Sequence, residues 1–539
     1  MVARPPAPSP HPVPSFRPLT PSLPLRLPGR AGAGWRRVGT GAARRGTPGE
    51  IASPAGTGAV SVRAMVNPES PAPATTTIGD DDFAELLPET RRALAHRLAV
   101  AQRDGRLPGL VAAVLRDGRR RWWGSRSMVD GHAPDPDTQF RIGSITKAFV
   151  AVLVLRLRDE GQLNLSDRIG QHLPAVGPAA GEVTVRQLLS HTSGLTNEPP
   201  GPWWERTDGA LRPELADLLQ HPPLRHEPGR LFHYSNVGFA LLGALVEQLR
   251  GDDWYTVLHR EVLRPLGMRR TTALPDAPHA GGWAVHPWAD VILAEPLQQT
   301  GRMAPAGQLW STIDDLTRFA AFLADGDERV LSAASVAEMR ECQADGEERY
   351  GLGLMLRQAD GLAVCGHGGS MPGFLAWLLI APEQRLGAVV LTNATSSPGP
   401  AFGELATDLI RIVAEREPLI PEPWRPLTAC DPEVLALTGP WYWGPTGFGL
   451  RLVAEDVLEL TPLGGNGSRE ARLRRAADGQ TWTAEGGYWH GEPMRVVRAD
   501  DGRVTHLDLG TFVLTREPYP ADGPVPGGVD PAGWRAEKW

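Results

Sequence analysis

Ser144 and Lys147, in the segment FRIGSITKAF (residues 140–149), have the spacing of a nucleophile and its base. A serine hydroxyl attacks a carbonyl carbon only when a neighbouring group removes its proton. Residues three apart share one face of a helix, so the Lys147 amine is expected beside the Ser144 hydroxyl. The apolar residues that follow predict a buried helix, in which a lysine is costly unless its pKa falls. The alternative is a serine N-cap with a first-turn lysine, because Ser-x-x-Lys alone is a common pattern.

A second polar group, Tyr234-Ser235-Asn236, stands at the start of the apolar segment 236–250, which predicts a buried helix. A lysine ammonium nearby lowers the pKa of a tyrosine, so Tyr234 is a candidate proton carrier. Asn236 is a candidate amide donor to a substrate carbonyl. The simpler alternative is that Ser235 or Asn236 caps the helix.

A third group, His367-Gly368-Gly369, follows a predicted strand in the segment GHGGSMPGF (366–374). Glycines permit a ligand to approach the backbone closely, and we expect them to leave His367 exposed and partly charged near neutral pH. A tight turn is another explanation for the glycines. The oxyanion motif of α/β-hydrolases does not apply, because that fold needs a Gly-x-Ser-x-Gly segment that the sequence lacks.

In their order along the chain, the three groups resemble the motifs of the serine beta-lactamase-like superfamily: Ser-x-x-Lys, Tyr-x-Asn and a Lys-Thr-Gly-like triplet. The Tyr-x-Asn form is that of the branch with class C beta-lactamases, family VIII esterases and D-stereospecific peptidases. The resemblance covers about 83–415. It includes four further segments: VTVRQLLSHTSGL, EPGRLFHYSNVGFALLG, PLGMRRT and APAGQLWSTIDDLTRFAAFL.

The resemblance implies a role for each polar side chain. Ser144 becomes acylated, Lys147 and Tyr234 share the proton handling, and Asn236 orients the substrate or Lys147. Water then hydrolyses the acyl-enzyme. No metal and no organic cofactor are implied, and the expected partner is a small-molecule ester, amide or peptide substrate.

The resemblance also assigns the backbone that faces the substrate. Gly368 and Gly369 let the sheet edge approach it, and the N–H groups of Ser144 and Ser370 form the oxyanion hole. True class C beta-lactamases resemble Lys-Thr-Gly here, whereas His367 is only partly charged and Gly368 has no hydroxyl to meet a β-lactam carboxylate. These departures favour an esterase or D-amino-acid peptidase over an efficient beta-lactamase.

The element pattern predicts an α+β fold, an antiparallel sheet flanked by helices as in beta-lactamases and transpeptidases, to which the resemblance adds an all-helical subdomain. Two strands are expected around the Asp117-Gly118 turn, and three more at 362–365, 374–381 and 386–392. Short β segments near the C-terminus predict a small all-β, barrel-like domain that resembles a lipocalin-like appendage. The expected bounds are a disordered Pro/Arg-rich tail at 1–80, the α+β domain at 81–415, a linker at 416–430, the β domain at 431–520 and a tail at 521–539.

The composition of the chain limits the binding partners and the cellular location that can be expected. The net charge of −7 combines +8 on residues 1–64 with an acidic remainder, which argues against nucleic acid. Three widely spaced cysteines indicate neither a disulfide framework nor a zinc site, and no run of about 18 apolar residues predicts a membrane span.

No convincing signal peptide is found, so a cytoplasmic location is expected. Met65 begins a more ordinary protein start, so residues 1–64 are either a disordered tail or the product of a mis-assigned start; a targeting segment is the remaining alternative.

Two long loops carry Trp203, Trp204, Trp283 and Trp288. Clustered tryptophans in loops line pockets in many proteins, but packing of the insertions explains them as well.

Three functional hypotheses follow from these observations. The first is a serine hydrolase that acts through an acyl-enzyme on Ser144. The second is a penicillin-recognising sensor or binding protein on the same fold that does not hydrolyse its ligand. The third is a scaffold whose β domain binds a partner or contributes to oligomerisation, with an oligomeric state that the sequence leaves open. The serine, lysine and tyrosine favour the first, because a scaffold has no need of them.

Overall fold

The computed structural model describes residues 85–126, 134–207, 209, 214–344, 349–395, 400–421, 423–464, 469–520 and 523–524, all within the compact unit Ala74–Trp539. The predictions for the tail at 1–80, for Met65 as a start, and for nearly all of 521–539 lie outside these residues. No helix in the described ranges is both long enough and apolar enough to span a bilayer.

A seven-stranded antiparallel sheet forms the centre of the first domain. Its strands lie in the order β2-β1-β11-β10-β9-β8-β7, so the first strand of the domain pairs with the last, next to the edge strand β2. The hairpin predicted at Asp117-Gly118 is confirmed, and both turn residues have positive φ, as a two-residue hairpin turn requires. The strands are β1 Leu110–Arg116, β2 Arg119–Arg126, β3 Phe140–Arg141, β4 Trp283–Val285, β5 Ile292–Ala294, β6 Trp310–Ser311, β7 Arg349–Tyr350, β8 Met355–Ala359, β9 Leu362–Met371, β10 Phe374–Ala381 and β11 Leu386–Thr392.

Helices cover both faces of the sheet, which confirms the α+β prediction. Residues 111, 113 and 115 of β1 belong to one core cluster and residues 110, 112 and 114 to the other, as the two-residue period of a strand dictates. The helices are α1 Pro88–Asp104, α2 Thr146–Asp159, α3 Ile169–His172, α4 Gly177–Gly181, α5 Val185–Leu189, α6 Asn236–Arg250, α7 Trp254–Leu258, α8 Ala304–Gly307, α9 Ile313–Asp325, α10 Ala333–Met339, α11 Pro400–Gly403 and α12 Leu405–Arg416.

Different helices cover the two faces of the sheet. Helices α1 and α12 pack together on one face, while α9 packs on the other. The helices from α2 to α8 form a largely helical subdomain against that second face. Helix α2 is buried along nearly its whole length, as its apolar sequence predicts, and α6 has the predicted bounds.

Strand β9 differs from its prediction. The expected strand at 362–365 continues to Met371, so His367, Gly368 and Gly369 lie within it and pair with β10 instead of forming a turn. Strand β8 pairs with β9 only as far as Gly366. The edge of β9 from residue 367 onward is therefore open on that side.

Eight antiparallel strands form the C-terminal barrel-like domain, after a stretch between Arg416 and Pro432 whose described residues contain no helix or strand. The first and last strands meet where Tyr442 and Thr515 exchange backbone hydrogen bonds. The interior is filled by apolar side chains, Trp441, Phe448 and Trp482 among them. The elements are α13 Pro432–Leu437, β12 Gly439–Trp443, β13 Thr446–Ala454, β14 Val457–Pro462, β15 Ala471–Arg475, β16 Thr481–Glu485, β17 Pro493–Arg498, β18 Val504–Leu509 and β19 Phe512–Leu514.

Candidate active site

Ser144 and Lys147 are in direct contact. Ser144 lies in a short 3-10 helix, Gly143–Ile145, immediately before α2, and Lys147 is in the first turn of α2. The Lys147 Nζ lies 2.9 Å from the Ser144 Oγ and donates a hydrogen bond of 2.6 Å to the Ala306 carbonyl oxygen. Lys147 is completely buried. Sequence reasoning therefore placed these two side chains correctly relative to each other.

Burial changes the proton affinity of Lys147. Removal from water lowers the pKa of its amine to about 7, although the charges of Glu198 and Glu205 oppose this effect. About half of the molecules then carry a neutral amine near pH 7. One N–H is directed to the Ala306 carbonyl, so the lone pair of the neutral amine is free to accept the Ser144 proton.

Tyr234 completes the polar group, but its pKa moves in the opposite direction to the one expected. Burial raises the pKa of Tyr234 above its ordinary value, and the hydrogen bond with Ser144 only partly offsets this. The Lys147 Nζ lies 4.9 Å from the centre of the Tyr234 ring. The Tyr234 hydroxyl is therefore protonated at neutral pH.

Asn236 has a partner that the sequence did not suggest. Ser235 is the N-cap of α6, since its Oγ accepts a hydrogen bond from the Gly238 N–H. The Asn236 Nδ2 donates to the Glu198 Oε1 at 2.7 Å, and the Trp204 Nε1 donates to Glu198 Oε2 at 2.6 Å. Asn236 thus orients the Glu198 carboxylate, and in the described part of the chain its amide makes no hydrogen bond to Lys147.

Glu205 is a second carboxylate of the site that sequence reasoning missed. Burial and the neighbouring charge of Glu198 raise the pKa of Glu205, while hydrogen bonding from Trp203 opposes the shift. Both glutamates act electrostatically on Lys147 and Tyr234. Glu198 lies in a loop and Glu205 in the short 3-10 helix Trp204–Arg206, and only their nearness to Trp203 and Trp204 set them apart in the sequence.

The open edge of β9 lies against the Ser144 segment. A Cβ on Gly143, whose φ is +54°, would lie 2.6 Å from the Ser370 nitrogen, and one on Gly369 would lie 1.9 Å from the Ile142 carbonyl oxygen. Only glycines permit so close an approach. The contact brings the backbone of Ser370 beside that of Ser144, as the predicted oxyanion hole requires.

His367 does not match its prediction. It is buried with 2% exposure, and its Nε2 lies 2.9 Å from the Tyr350 hydroxyl. Burial, together with the charge of Lys147, lowers the pKa of His367 to about 3. The expectation of an exposed, partly charged histidine is wrong, because neighbouring glycines in a paired strand do not open the strand to solvent on the face where the His367 side chain packs.

The four tryptophans have different environments. Trp204 is buried in the core, whereas Trp203 and Trp288 are exposed by 58% and 90%. Trp283 begins the β4–β5 hairpin, with its indole Nε1 buried and without a partner among the described residues. Trp204 therefore both packs in the core and holds Glu198 through its indole N–H, whereas Trp203 and Trp288 lie at the surface.

Comparison with known proteins shows to which family the chain belongs. The sequence model of the family described as Beta-lactamase matches residues 90–412. Penicillin-binding protein 4 of Amycolatopsis lactamdurans is 31% identical over 344 residues, which cover 58% of this chain and 88% of that protein. The chain belongs to the beta-lactamase family. The resemblance inferred from the three motifs is confirmed.

Solved structures show the same fold. The octameric penicillin-binding protein homologue from Pyrococcus abyssi has a TM-score of 0.54 at 22% identity, over 79% of this chain and 99% of that one. The D-amino acid amidase from Ochrobactrum anthropi SV3 has a TM-score of 0.53 at 22% identity, over 61% and 99%. Residues 430–516 match a domain of unknown function, DUF7586.

His191 supports the Tyr-x-Asn motif of this beta-lactamase-family site, and no role was predicted for it. Its ring is fully buried, 4.2 Å from the ring of Tyr234, and its Nδ1 accepts a hydrogen bond from the Ser235 N–H at 3.0 Å. Its carbonyl oxygen accepts a bond from the His233 N–H at 2.7 Å. Its φ of +56° is rare for a residue with a side chain. His191 therefore fixes the backbone on either side of Tyr234 through these two hydrogen bonds.

We expect His191→Phe to destabilise the protein and to slow acylation of Ser144. The phenyl ring retains the packing but leaves the buried Ser235 N–H without an acceptor, which costs about 1–3 kcal/mol. His191→Asn keeps a short acceptor and tolerates the left-handed backbone, so it should lose less stability. Denaturant unfolding and the rate of fluorophosphonate labelling measure both effects. Equal stability of the two variants would show that the hydrogen bond between the Ser235 N–H and the residue at position 191 does not stabilise the fold.

The pKa of Lys147 predicts the pH dependence of the site. The neutral amine is the base, so the rate of Ser144 labelling by a fluorophosphonate should rise with pH through about 7 and level off above it. His367, with a pKa of about 3, is already neutral over this range and adds no second step near pH 6. A rate that falls between pH 6 and 8 would assign the base to another group.

Proposed function

We propose that the protein is a serine hydrolase that cleaves an ester, amide or peptide bond through an acyl-enzyme on Ser144. The observation that carries the proposal is the 2.9 Å contact between the Ser144 Oγ and a buried Lys147 amine with a pKa of about 7. A buried lysine without a carboxylate in contact destabilises a fold, and such strain is common at catalytic sites.

In the first half-reaction, the Ser144 Oγ forms a bond to the carbonyl carbon while its proton passes to the neutral Lys147 amine. The N–H groups of Ser144 and Ser370 stabilise the oxyanion. Collapse of the tetrahedral intermediate breaks the bond to the leaving alcohol or amine, which takes a proton from the Tyr234 hydroxyl; Lys147 then returns its proton to Tyr234. Water repeats the sequence at the acyl-enzyme, releases the acid and restores Ser144.

The charges around the nucleophile support an uncharged or cationic substrate. Glu198 and Glu205 are acidic, and the position where the family's beta-lactamases carry a lysine has the neutral, buried His367. A β-lactam carboxylate therefore meets little positive charge, which supports an esterase or D-amino-acid peptidase over an efficient beta-lactamase. The fold shared with a D-amino acid amidase agrees with this preference.

Turnover assays test the proposal. p-Nitrophenyl acetate, p-nitrophenyl butyrate and D-alanine p-nitroanilide are the substrates, with Ser144→Ala as the control. We expect steady-state turnover by the native chain and none by the variant. Absence of both turnover and covalent labelling by a fluorophosphonate or a penicillin probe would exclude a hydrolase. A burst of one equivalent without a steady state would favour the alternative, a penicillin-recognising sensor, which the name of the 31% identical relative supports.

Glu198 is expected to select for a positive charge on the substrate. Glu198→Gln removes the carboxylate charge at nearly constant shape, and its single amide oxygen keeps one of the two acceptors that Asn236 and Trp204 use. The ratio of kcat/KM for D-alanine p-nitroanilide to that for its N-acetyl derivative should fall by about 10-fold, since one nearby charge contributes 1 kcal/mol or more. Glu383→Gln removes an equal charge at the far end of β10 and should leave the ratio unchanged. An unchanged ratio in Glu198→Gln would show that the carboxylate does not meet the substrate.

A further inference from the structure

The C-terminal barrel has an aromatic cluster at its rim that holds a guanidinium. Trp443 ends β12, Phe512 begins β19, and Tyr488 lies in the connection between β16 and β17. The ring centres of Trp443 and Phe512 are 4.7 Å apart, and those of Tyr488 and Phe512 are 5.9 Å apart. The guanidinium carbon of Arg469 lies 5.0 Å, 5.3 Å and 5.0 Å from the rings of Trp443, Tyr488 and Phe512. These four side chains are called the rim cluster.

The Arg469 guanidinium has no hydrogen-bond acceptor among the residues that the structure describes. Among the described residues, Arg469 contacts no carboxylate and no carbonyl oxygen, whereas Arg474, Arg475 and Arg498 of the same domain each pair with a carboxylate. Trp489, which packs 5.3 Å from Phe512, is 2% exposed, and its Nε1 likewise has no partner in the described part of the chain. A buried indole N–H without an acceptor is costly, so Trp489 is a second polar group next to the cluster whose partner is not among the described residues.

The chemistry of these groups fits one kind of ligand. Ring faces hold the guanidinium by cation–π attraction, which fixes its position without using its in-plane N–H groups. Those N–H groups form a fork that matches a carboxylate with two parallel hydrogen bonds. Tyr488, which is 63% exposed, adds an apolar face beside the fork. The barrel interior is filled by its own apolar side chains, so a ligand of this domain is expected outside that interior.

We propose that the rim cluster binds a small carboxylate attached to a flat apolar group, with Arg469 as the anion-binding residue and Trp443, Tyr488 and Phe512 as its walls. This gives the β domain a ligand-binding role that does not depend on catalysis at Ser144. Its ligand is a monoanion, in contrast to the neutral or cationic substrates favoured at the acidic site around Glu198.

Fluorine NMR of para-fluorophenylacetate tests the proposal on the full-length chain. We expect the ligand signal to broaden on addition of protein, and the Kd to rise at least about 10-fold in Arg469→Gln, because a charge-assisted bidentate contact is lost. Arg472→Gln removes an equal charge nearby on β15 but touches no ring of the cluster, and it should bind as the native chain does. Para-fluorophenylacetamide, which lacks the charge, should not broaden.

Two further variants test the aromatic wall and the shape of the guanidinium separately. Trp443→Leu removes one wall and should also weaken binding, and Arg469→Lys keeps the charge but not the fork and should bind with intermediate affinity. Melting curves establish that the barrel stays folded in each. Binding that is unchanged in Arg469→Gln, or equal broadening by the amide, would overturn the proposal. Loss of hydrolysis in Ser144→Ala with retained binding would separate this site from the catalytic one.

Discussion

Lys147→Met should give a protein that is inactive and more stable than the native chain. The methionine fills nearly the same volume as the lysine stem and needs no proton, so the free energy spent on keeping an amine neutral in the interior is recovered. Removal of the base should lower the acylation rate of Ser144 by about 10³-fold or more. The unfolding free energy should rise by about 2–4 kcal/mol at pH 7, less than the full pKa shift implies because two hydrogen bonds are lost.

The gain in stability should depend on pH with a definite sign. The folded state binds the Lys147 proton only below about 7, whereas the unfolded chain binds it up to about 10.4. Between these values the unfolded state holds more protons, so native stability rises with pH. The advantage of Lys147→Met is therefore largest at pH 7 and below, and it disappears toward pH 10.

Denaturant unfolding at pH 6, 7 and 9, beside the turnover assay, measures both parts of this prediction. Ser144→Ala is the matched control, because it also abolishes acylation but removes no buried titratable charge, and it should gain much less stability. A Lys147→Met protein that is less stable than the native chain at pH 6 would mean that the amine is paired and charged in the fold.

The parts of the fold that followed from sequence are those where one local signal dominates. Strands β10 and β11 and helix α6 have the predicted bounds because unbroken apolar segments end at turn or capping residues. The end of β9 was misplaced because the glycines of the His367 motif have low strand propensity. Pairing with β10 overrides that propensity, and such pairing is a tertiary effect.

The site was predictable as a set of residues but not in its electrostatics. The lowered pKa of Lys147 follows from its apolar neighbours in the sequence. The raised pKa of Tyr234 does not, because it depends on whether desolvation or a nearby ammonium has the larger effect, and the structure has the ammonium over the ring face. The bond between His367 and Tyr350 joins β9 to β7, and neither residue signals the other in the sequence.

The position of Glu198 beside Asn236 matters most for function among the features that sequence reasoning missed. Glu198 is bound by Asn236, a motif residue that was expected to contact the substrate or Lys147. The motif therefore positions a charge as well as a hydrogen-bond donor. The residue that Asn236 holds lies outside all three motifs.

Gly369→Ala should reduce kcat by about 10²–10³-fold, the effect of losing one oxyanion donor. A Cβ at this position would lie 1.9 Å from the Ile142 carbonyl oxygen and 3.1 Å from the Ser144 nitrogen, so β9 must move away from the Ser144 segment. Both clashing atoms are backbone, which cannot rotate aside. The Ser370 N–H then separates from that of Ser144, and the two no longer meet one oxyanion.

Gly368→Ala is the informative comparison for this prediction. The atoms nearest to its Cβ belong to the ring of Trp377, at 2.9 Å, and a side chain can shift where backbone cannot. We expect a smaller loss of kcat in Gly368→Ala, with KM for a p-nitrophenyl ester changed little in either variant, since the oxyanion contact strengthens only in the transition state. If the two substitutions lower kcat equally while melting at the native temperature, close approach of β9 at Gly369 is not what forms the oxyanion hole.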